Sequence, residues 1–452
     1  MTNVSRPSEQ AAFVRDRLPS GGLFKDQAWR ISPEPFPLDA RLLNDLESLG
    51  RVLLQFYRSL NRLHRLSEQG KQPPWIAQLL NQGKPESLLE WQRDPAFKNE
   101  VPRVIRPDIL LTEDGFSITE LDSVPGGIGL TAWLNETYAD LATQGAGWNL
   151  VGGRDQMVSG FSGIFGSASR VHIVVSEESD AYRPEMQWLA GRMSPKPVFV
   201  QAAEFTDWSP GDAIYRFFEL FDLANISGAQ AAVQAARSGE ISLTPPMKPS
   251  LEEKISSALL WNRNLRDFWR QELGDGFFNR LLKHVPYSWV MDPTPLPPHA
   301  AVPELGITDW LQLETFSQRE RDLILKVSGY SEQAWGARGV HLGSDLSQAD
   351  WSAVVREAIR EFPQRPSLLQ RYHKPRTIPT AYWDFSREQL VQMPAKLRLC
   401  PYYFVIGDGD QARARLGGVL ATACPADKKI IHGMRDAILM PCCIGPKPHS
   451  TV

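Results

Sequence analysis

Leu42, Leu46, Leu49, Leu53, Phe56, Leu60 and Leu63 recur at intervals of three and four, which predicts a long packing helix over residues 39–66 with one buried stripe. The period then changes. Two extended runs, Val101 to Thr112 and Phe116 to Asp122, flank Glu113-Asp114-Gly115 and predict a hairpin. From Arg170 the order is a short apolar run (RVHIVVSEES), a helical stretch holding Met186, Leu189 and Met193, and a second run, KPVFVQ; this is the signature of a small parallel α/β unit, continuing through Ala213 to Leu223. TPPMKPS at 244–250 reads as a linker, because closely spaced prolines deny both helix and ladder. A helix including ALLWNRNLRDFW starts near Leu251, and the proline-rich Met291 to Pro303 reads as an exposed crossover. Beyond it come the run LILKVS, a glycine-bearing loop, a helix from Asp350 to Phe362, the strand SLLQRYH and a C-terminal stretch of short strands and turns.

At 452 residues the chain is too long for one core, so two to four domains are expected. Forty-nine Lys plus Arg against fifty-two Asp plus Glu leave a net charge of −3, which gives no global basic surface for a nucleic acid or an anionic membrane. Any anion site must be local. The opening MTNVSRPSEQ has no apolar leader and no run reaches the length of a membrane span, so a cytoplasmic protein without membrane or nucleic-acid partners is expected. Cys400, Cys424, Cys442 and Cys443 lack paired C-x-x-C spacing and read as reduced thiols. No H-E-x-x-H or G-x-S-x-G occurs, which leaves zinc and serine hydrolases without support. Gly160, Gly163 and Gly166 precede a strand instead of coming after one, so no NAD or FAD site is read there.

The hairpin carries the first chemistry. A three-residue loop at Glu113-Asp114-Gly115 puts Thr112 opposite Phe116, Leu110 opposite Ile118, Asp108 opposite Glu120 and Arg106 opposite Asp122. Opposed residues share a face, so Arg106, Asp108, Glu120 and Asp122 converge. Three carboxylates with one arginine call for another positive charge. A hard divalent cation such as Mg²⁺, held by carboxylates and substrate phosphates, is one candidate; a solvated acidic face or a structural salt bridge from Arg106 is the other. Val124 to Gly129 (VPGGIG) comes next, with adjacent glycines suited to a sharp turn or a close backbone approach.

The second element is LILKVSGYSEQAWGARGVHLGSD. Lys326 ends an apolar run and is expected to project from a strand, and the segment after it is punctuated by Gly329, Gly336, Gly339 and Gly343, with Arg338 among them. This is not a Walker loop. It fits a flexible cover over phosphates or, equally, a surface hairpin. In SLLQRYH, backbone groups near Gln370 to Tyr372 could read an adenine edge.

Together these segments resemble the ATP-grasp carboxylate–amine ligases, in particular the circularly permuted group with glutathionylspermidine synthetase-like members. The likeness rests on Arg106-Pro107-Asp108, Glu120-Leu121-Asp122 and Pro125-Gly126-Gly127, on LILKVSGYSEQAWGARGV with LLQRYH after it, and on ALLWNRNL. Their order, acidic strands before the lysine, is that of the permuted group. The resemblance implies an α/β (α+β) fold: a circularly permuted ATP-grasp core with a small Rossmann-like pre-ATP-grasp unit and a helical N-terminal region. It divides the chain into a helical region at 1–100, the acidic strands at 101–165, the small parallel unit at 166–250, the lysine strand, glycine loop and hinge at 251–375, and a C-terminal return to the core at 376–452. It further implies ATP and Mg²⁺, a small carboxylate and an amine as substrates, and an acyl-phosphate intermediate. On this reading Asp108, Glu120 and Asp122 hold metal, Lys326, Arg263, Gly336, Arg338, Gly339 and Gln370 bind ATP, and Arg106 holds the carboxylate or developing oxyanion. Asp122, Arg263 and Arg371 depart from the pattern, where relatives carry asparagine, lysine and an acidic residue. Two other readings stay open: a degenerate nucleotide-binding scaffold, and a kinase-like ATPase acting on a non-carboxylate acceptor. Lys428, Lys429, His432 and Arg435 form a further polar cluster, read as a solvated edge or as a reach toward the ligand.

Overall fold

The computed structural model describes residues 6–25, 29–336, 338–431 and 435–445. The chain forms two compact units, one drawn from 1–55, 96–246 and 375–452, the other from 56–95 and 247–374. The N-terminal stripe forms the helix Ala40–Glu68. Leu46, Leu49, Leu53, Leu60 and Leu63 on it are at most 1% exposed, as a continuous three-and-four spacing demands. No described helix is long and apolar enough to cross a membrane.

The first unit is built on an eight-stranded sheet. Its spine runs Arg30–Ile31, Ile438–Ile444, Arg413–Pro425, Gln389–Ile406, Val104–Thr112 and Gly115–Asp122, with Thr377–Asp384 added to the long strand Gln389–Ile406 and Phe36–Leu38 to Ile438–Ile444. The C-terminal segment departs from the expected short strands and turns: Gln389–Ile406 and Arg413–Pro425 are long partners in one antiparallel ladder. The reason is side-chain alternation. Met393, Ala395, Leu397 and Leu399 are buried on one face, which leaves Lys396, Arg398 and Cys400 on the other.

The same unit holds a four-stranded parallel sheet in the order Val198–Gln201, Val171–Val175, Ala213–Phe217, Ser242–Thr244. This is the α/β unit read from the strand, helix, strand pattern, with helix Arg183–Ala190 between its first two strands. TPPMKPS, read as a linker, holds the passage from the first unit to the second at Pro246–Met247, and residues 244–250 are buried. Fully buried Arg216 donates to the carbonyls of Pro245 and Pro246, which satisfies backbone groups that proline leaves out of a ladder.

The second unit has a four-stranded antiparallel sheet in the order Val340–Leu342, Leu323–Val327, Ser367–Arg371, Ser288–Val290. Leu323, Leu325, Leu369 and Trp289 pack from one face onto Trp351, Val355 and Ala358 of helix Gln348–Glu361. Residues alternate along strands, so the other face carries Lys326, Gln370 and Ser288.

Candidate functional site

The acidic hairpin is built differently from its expected form. Glu113 and Asp114 make a two-residue turn, Gly115 faces Thr112, Phe116 faces Leu111 and Ser117 faces Leu110. The three-residue loop therefore does not form. The positive φ of this turn falls on Gly115, at +132°, and the displaced register is restored by a bulge at Thr119. Past the bulge Asp108 faces Glu120 and Arg106 faces Asp122. The four side chains therefore belong to two facing pairs.

Their charges are met by protein groups. Arg106 reaches Asp108 through Nε at 3.0 Å and Asp122 through Nη2 at 3.0 Å, and its Nη1 donates to the Gly126 carbonyl at 3.3 Å. The second oxygen of Asp108 lies 3.1 Å from Nη1 of Arg398, on the strand Gln389–Ile406. The second oxygen of Asp122 accepts the Val124 amide at 2.9 Å. Burial works against the charge on Arg398, but the Asp108 carboxylate more than offsets it and the guanidinium is held above its ordinary pKa. Burial, with Asp108 beside it, pushes the Cys400 thiol up to about 12, so this cysteine is no thiolate nucleophile.

The glycine segment closes the site. A Cβ on Gly126 would lie 2.0 Å from the ring of Tyr182, and one on Gly127, at φ +86°, would lie 2.6 Å from the Tyr402 hydroxyl. Tyr402 donates to the Gly126 carbonyl at 2.8 Å. The buried Glu185 carboxylate accepts the amides of Gly127 (2.7 Å) and Leu130 (2.9 Å), which meets the donors at the start of helix Ile128–Leu141. Burial pushes this carboxyl up to about 7, although both amides favour its charged form.

Among the described residues no group of three or more His, Cys, Asp or Glu side chains is placed to hold a metal ion. Asp108, Glu120 and Asp122, expected as magnesium ligands, do not fit one as arranged. Both oxygens of Asp108 and both of Asp122 are engaged by arginines, a thiol or an amide. Mg²⁺ requires a near-octahedral oxygen shell that this set does not offer.

In the second unit Lys326 is 5% exposed, and its Nζ donates to Oε1 of Gln370 at 3.1 Å. Gln370 in turn donates to the Ser288 hydroxyl at 3.0 Å. Ser288 lines a cleft of about 1070 Å³ together with Trp261, Arg263, Tyr287, Trp289 and Trp310. Of the expected nucleotide residues only Arg263 is on that wall; Lys326, Gly336, Arg338, Gly339 and Gln370 are not.

The glycine loop is moored at its root. Gly339 donates to the Gln333 carbonyl at 2.8 Å and accepts the Val327 amide at 3.0 Å. Gly336 sits at φ +65°, and the Arg338 guanidinium lies over the Trp335 ring at 5.2 Å. Glu253 accepts the Gly329 amide at 2.8 Å and the Ser328 hydroxyl, and forms a 2.5 Å ion pair with Lys84, both side chains 1% exposed. A Cβ on Gly329 would lie 2.6 Å from Glu253, so this close approach requires glycine. Lys254 donates to the Ala334 carbonyl.

Lys428 donates to the Arg435 carbonyl at 2.6 Å and accepts Lys396 on its own carbonyl at 2.9 Å. His432 of that cluster lies outside the described residues. Sequence reasoning missed Arg398, Tyr182, Glu185 and Glu253. For Arg398 a signal existed: Lys396-Leu397-Arg398-Leu399 alternates as a half-buried strand does.

No family model matches the chain. No curated protein matches it either. Among solved structures it is similar to a glutathione synthetase-like effector from Globodera pallida in its apo form, at 12% identity and a TM-score of 0.52 over 97% of this chain and 98% of that one. A candidate gamma-glutamylcysteine synthetase from Methylobacillus flagellatus, at 13% identity over 88% of this chain and 89% of that one, has a TM-score of 0.40, too loose a match to bear on the fold. At such identities the likeness speaks to fold alone: the chain has an α+β, glutathione synthetase-like architecture of the ATP-grasp kind.

Proposed function

We propose that this chain is an ATP-dependent ligase joining a small carboxylate to an amine, a peptide-ligase-type activity. A carboxylate oxygen attacks the γ-phosphorus of ATP and ADP leaves. The amine nitrogen then attacks the acyl carbon, phosphate departs and the nitrogen loses a proton. Such chemistry is mostly positioning and charge neutralisation, so it needs preorganised cations more than a nucleophilic side chain.

The observation that carries the reading is the Lys326–Gln370–Ser288 chain, an ammonium fixed by an amide oxygen on the face of its sheet opposite the apolar core. A cation fixed in this way meets phosphate charge without being ordered at the moment of binding. The synthetase-like fold supports it. Arg263, Gly336, Arg338, Gly339 and Gln370 are assigned to the nucleotide and Arg106 to the carboxylate or oxyanion. Magnesium at Asp108, Glu120 and Asp122 is assigned no step.

The test is ADP release that depends on both a carboxylic acid and an amine, with hydroxylamine trapping the acyl group as a hydroxamate. Lys326→Met is expected to weaken ATP binding by about 1.5 to 3 kcal/mol, the scale of a lost charged hydrogen bond, or roughly 10- to 150-fold. Unchanged affinity would remove Lys326 from the site. A second reading, nucleotide binding without turnover, draws on the two arginines that already occupy Asp108. Binding of ATP with no ADP release across a broad panel of acids and amines would favour it.

A further inference from the structure

The cleft of about 1070 Å³ in the second unit meets the Lys326 chain only at Ser288, and its lining has a chemistry of its own. We propose that it binds a flat aromatic acid, with the ring system laid on Trp261 and Tyr287 and the carboxylate at Arg263.

The wall is an aromatic ladder. The rings of Trp261 and Tyr287 lie 4.5 Å apart between centroids and 30° from parallel, and Tyr287 continues to Trp289 at 4.8 Å. Trp289 belongs to the buried core, whereas Trp261 and Tyr287 are half-buried where they line the cleft. The proline-rich segment supplies more of the lining through Pro295, Leu296 and Pro297. It is pinned at both ends: Trp310 donates its indole N–H to the Asp292 carbonyl at 2.7 Å, and Trp289 donates to the Pro303 carbonyl at 2.8 Å. The cavity is therefore preformed, and a ligand does not have to order it.

The polar groups of the ladder wall are already used. Trp261 donates to the Val285 carbonyl at 3.1 Å, and the Ser288 hydroxyl donates to the Pro286 carbonyl at 2.8 Å while accepting from Gln370. What this wall offers is ring surface. A purine would bury its ring nitrogens there without partners, a cost that a plain aromatic ring does not carry. Charge selects the other end of the ligand. Arg263 lines the cleft at an exposed position, hydrogen-bonded to the Tyr287 phenol, and among the described residues no carboxylate forms an ion pair with it. The other donors of its planar fork stay open to a carboxylate. Arg371, over the Trp289 ring at 5.7 Å, is by contrast paired with Glu304 at 3.7 Å. Asp292, the acidic residue of the lining, accepts the Thr294 amide at 2.9 Å. The cation beside the ladder is thus Arg263, and it favours an acid over an amine.

The inference does not rest on ligase turnover, because it is read by binding alone. Arg263, which the ligase reading gives to the nucleotide, is tested in the absence of ATP. Calorimetry on the full chain uses 2-naphthoate, its saturated counterpart decahydronaphthalene-2-carboxylate, 2-naphthylmethylamine and adenosine. 2-Naphthoate is expected to fill one site with a Kd on the order of 0.1 mM. The saturated acid should bind roughly 2- to 12-fold more weakly, the share that ring stacking adds to burial, and neither the amine nor adenosine should displace 2-naphthoate. Arg263→Met, at an exposed position, is expected to weaken 2-naphthoate about tenfold, Arg263→Lys to keep most of the affinity, and Lys326→Met to leave it unchanged. Absence of saturable 2-naphthoate binding would overturn the inference. So would equal binding of the saturated acid or the amine, affinity indifferent to Arg263→Met, or an equal loss in Lys326→Met. Competitive displacement by adenosine would hand the cleft to a nucleobase and overturn it as well.

Discussion

Two buried charge clusters in this molecule are made from the same kinds of side chain and do different things. Around Asp108 and Asp122, in the first unit, the side chains keep 10 to 28% of their surface exposed, and the carboxylates are shared among two arginines from separate strands. Around Glu253, in the second unit, one carboxylate meets one lysine, both are 1% exposed, and further oxygen capacity is given to the Ser328 hydroxyl and the Gly329 amide at the root of the glycine loop. A sealed pair that commits its hydrogen bonds to the neighbouring loop of its own unit is an architectural part. The other cluster keeps some contact with solvent and divides its charges among more partners.

The largest effect should come from breaking the sealed pair. Lys84→Ala leaves the Glu253 charge buried alone and is expected to cost about 3 to 5 kcal/mol in a denaturant titration of the full chain, whereas Lys84→Met/Glu253→Gln should recover most of it. A loss under about 1 kcal/mol would put the pair in the same class as a surface bridge.

Next is pH. Glu185, pushed by burial from 4.5 to about 7, binds its proton more tightly folded than unfolded. Its contribution is therefore fully present below pH 4.5 and is lost as the pH rises through about 7. The loss is up to roughly 3 kcal/mol. Glu185→Gln should flatten the stability profile across that window, and an unchanged slope would assign it to other groups.

Asp108→Asn tests the open cluster. It leaves Arg106 and Arg398 facing each other without their shared anion and should cost about 2 kcal/mol, less than the sealed pair because water can reach the guanidinium groups. An equal or greater loss would erase the contrast between the clusters. The smallest effect belongs to Tyr402→Phe, which removes one hydrogen bond to Gly126 and should cost about 1 kcal/mol, with the other bond to that carbonyl, from Arg106, retained. A cost several times larger would mean that the hydroxyl also orders the arginine.

How much of the molecule was legible depended on sequence distance. The long helix and the small parallel unit announce themselves by period, because each buries one face against neighbours that are themselves periodic. The facing pairs of the hairpin were also readable, although from a loop that does not form. A shorter turn moved the register by one step, and the Thr119 bulge moved it back. The company those residues keep could not be read. Arg398 reaches Asp108 across 290 positions, and Lys84 and Glu253 come from connections with no periodic signal. Buried polar partners of this kind are chosen by three-dimensional neighbourhood, which alternation along one strand narrows but does not specify. The proline-rich 244–250 segment was legible as a linker, since the chain passes from the first unit to the second at Pro246–Met247; its burial, with Arg216 serving the Pro245 and Pro246 carbonyls, was not.

The bulge at Thr119 also decides which way the hairpin's charge points. If it were ironed out with the sequence unchanged, so that Thr119 stood opposite Asp108, Glu120 and Asp122 would turn to the far side of the sheet and Arg106 and Arg398 would be left with Asp108 as their carboxylate on this face. The number of carboxylates on that surface thus turns on how one supernumerary residue is accommodated: looped out, as here, it keeps Glu120 and Asp122 beside the arginines.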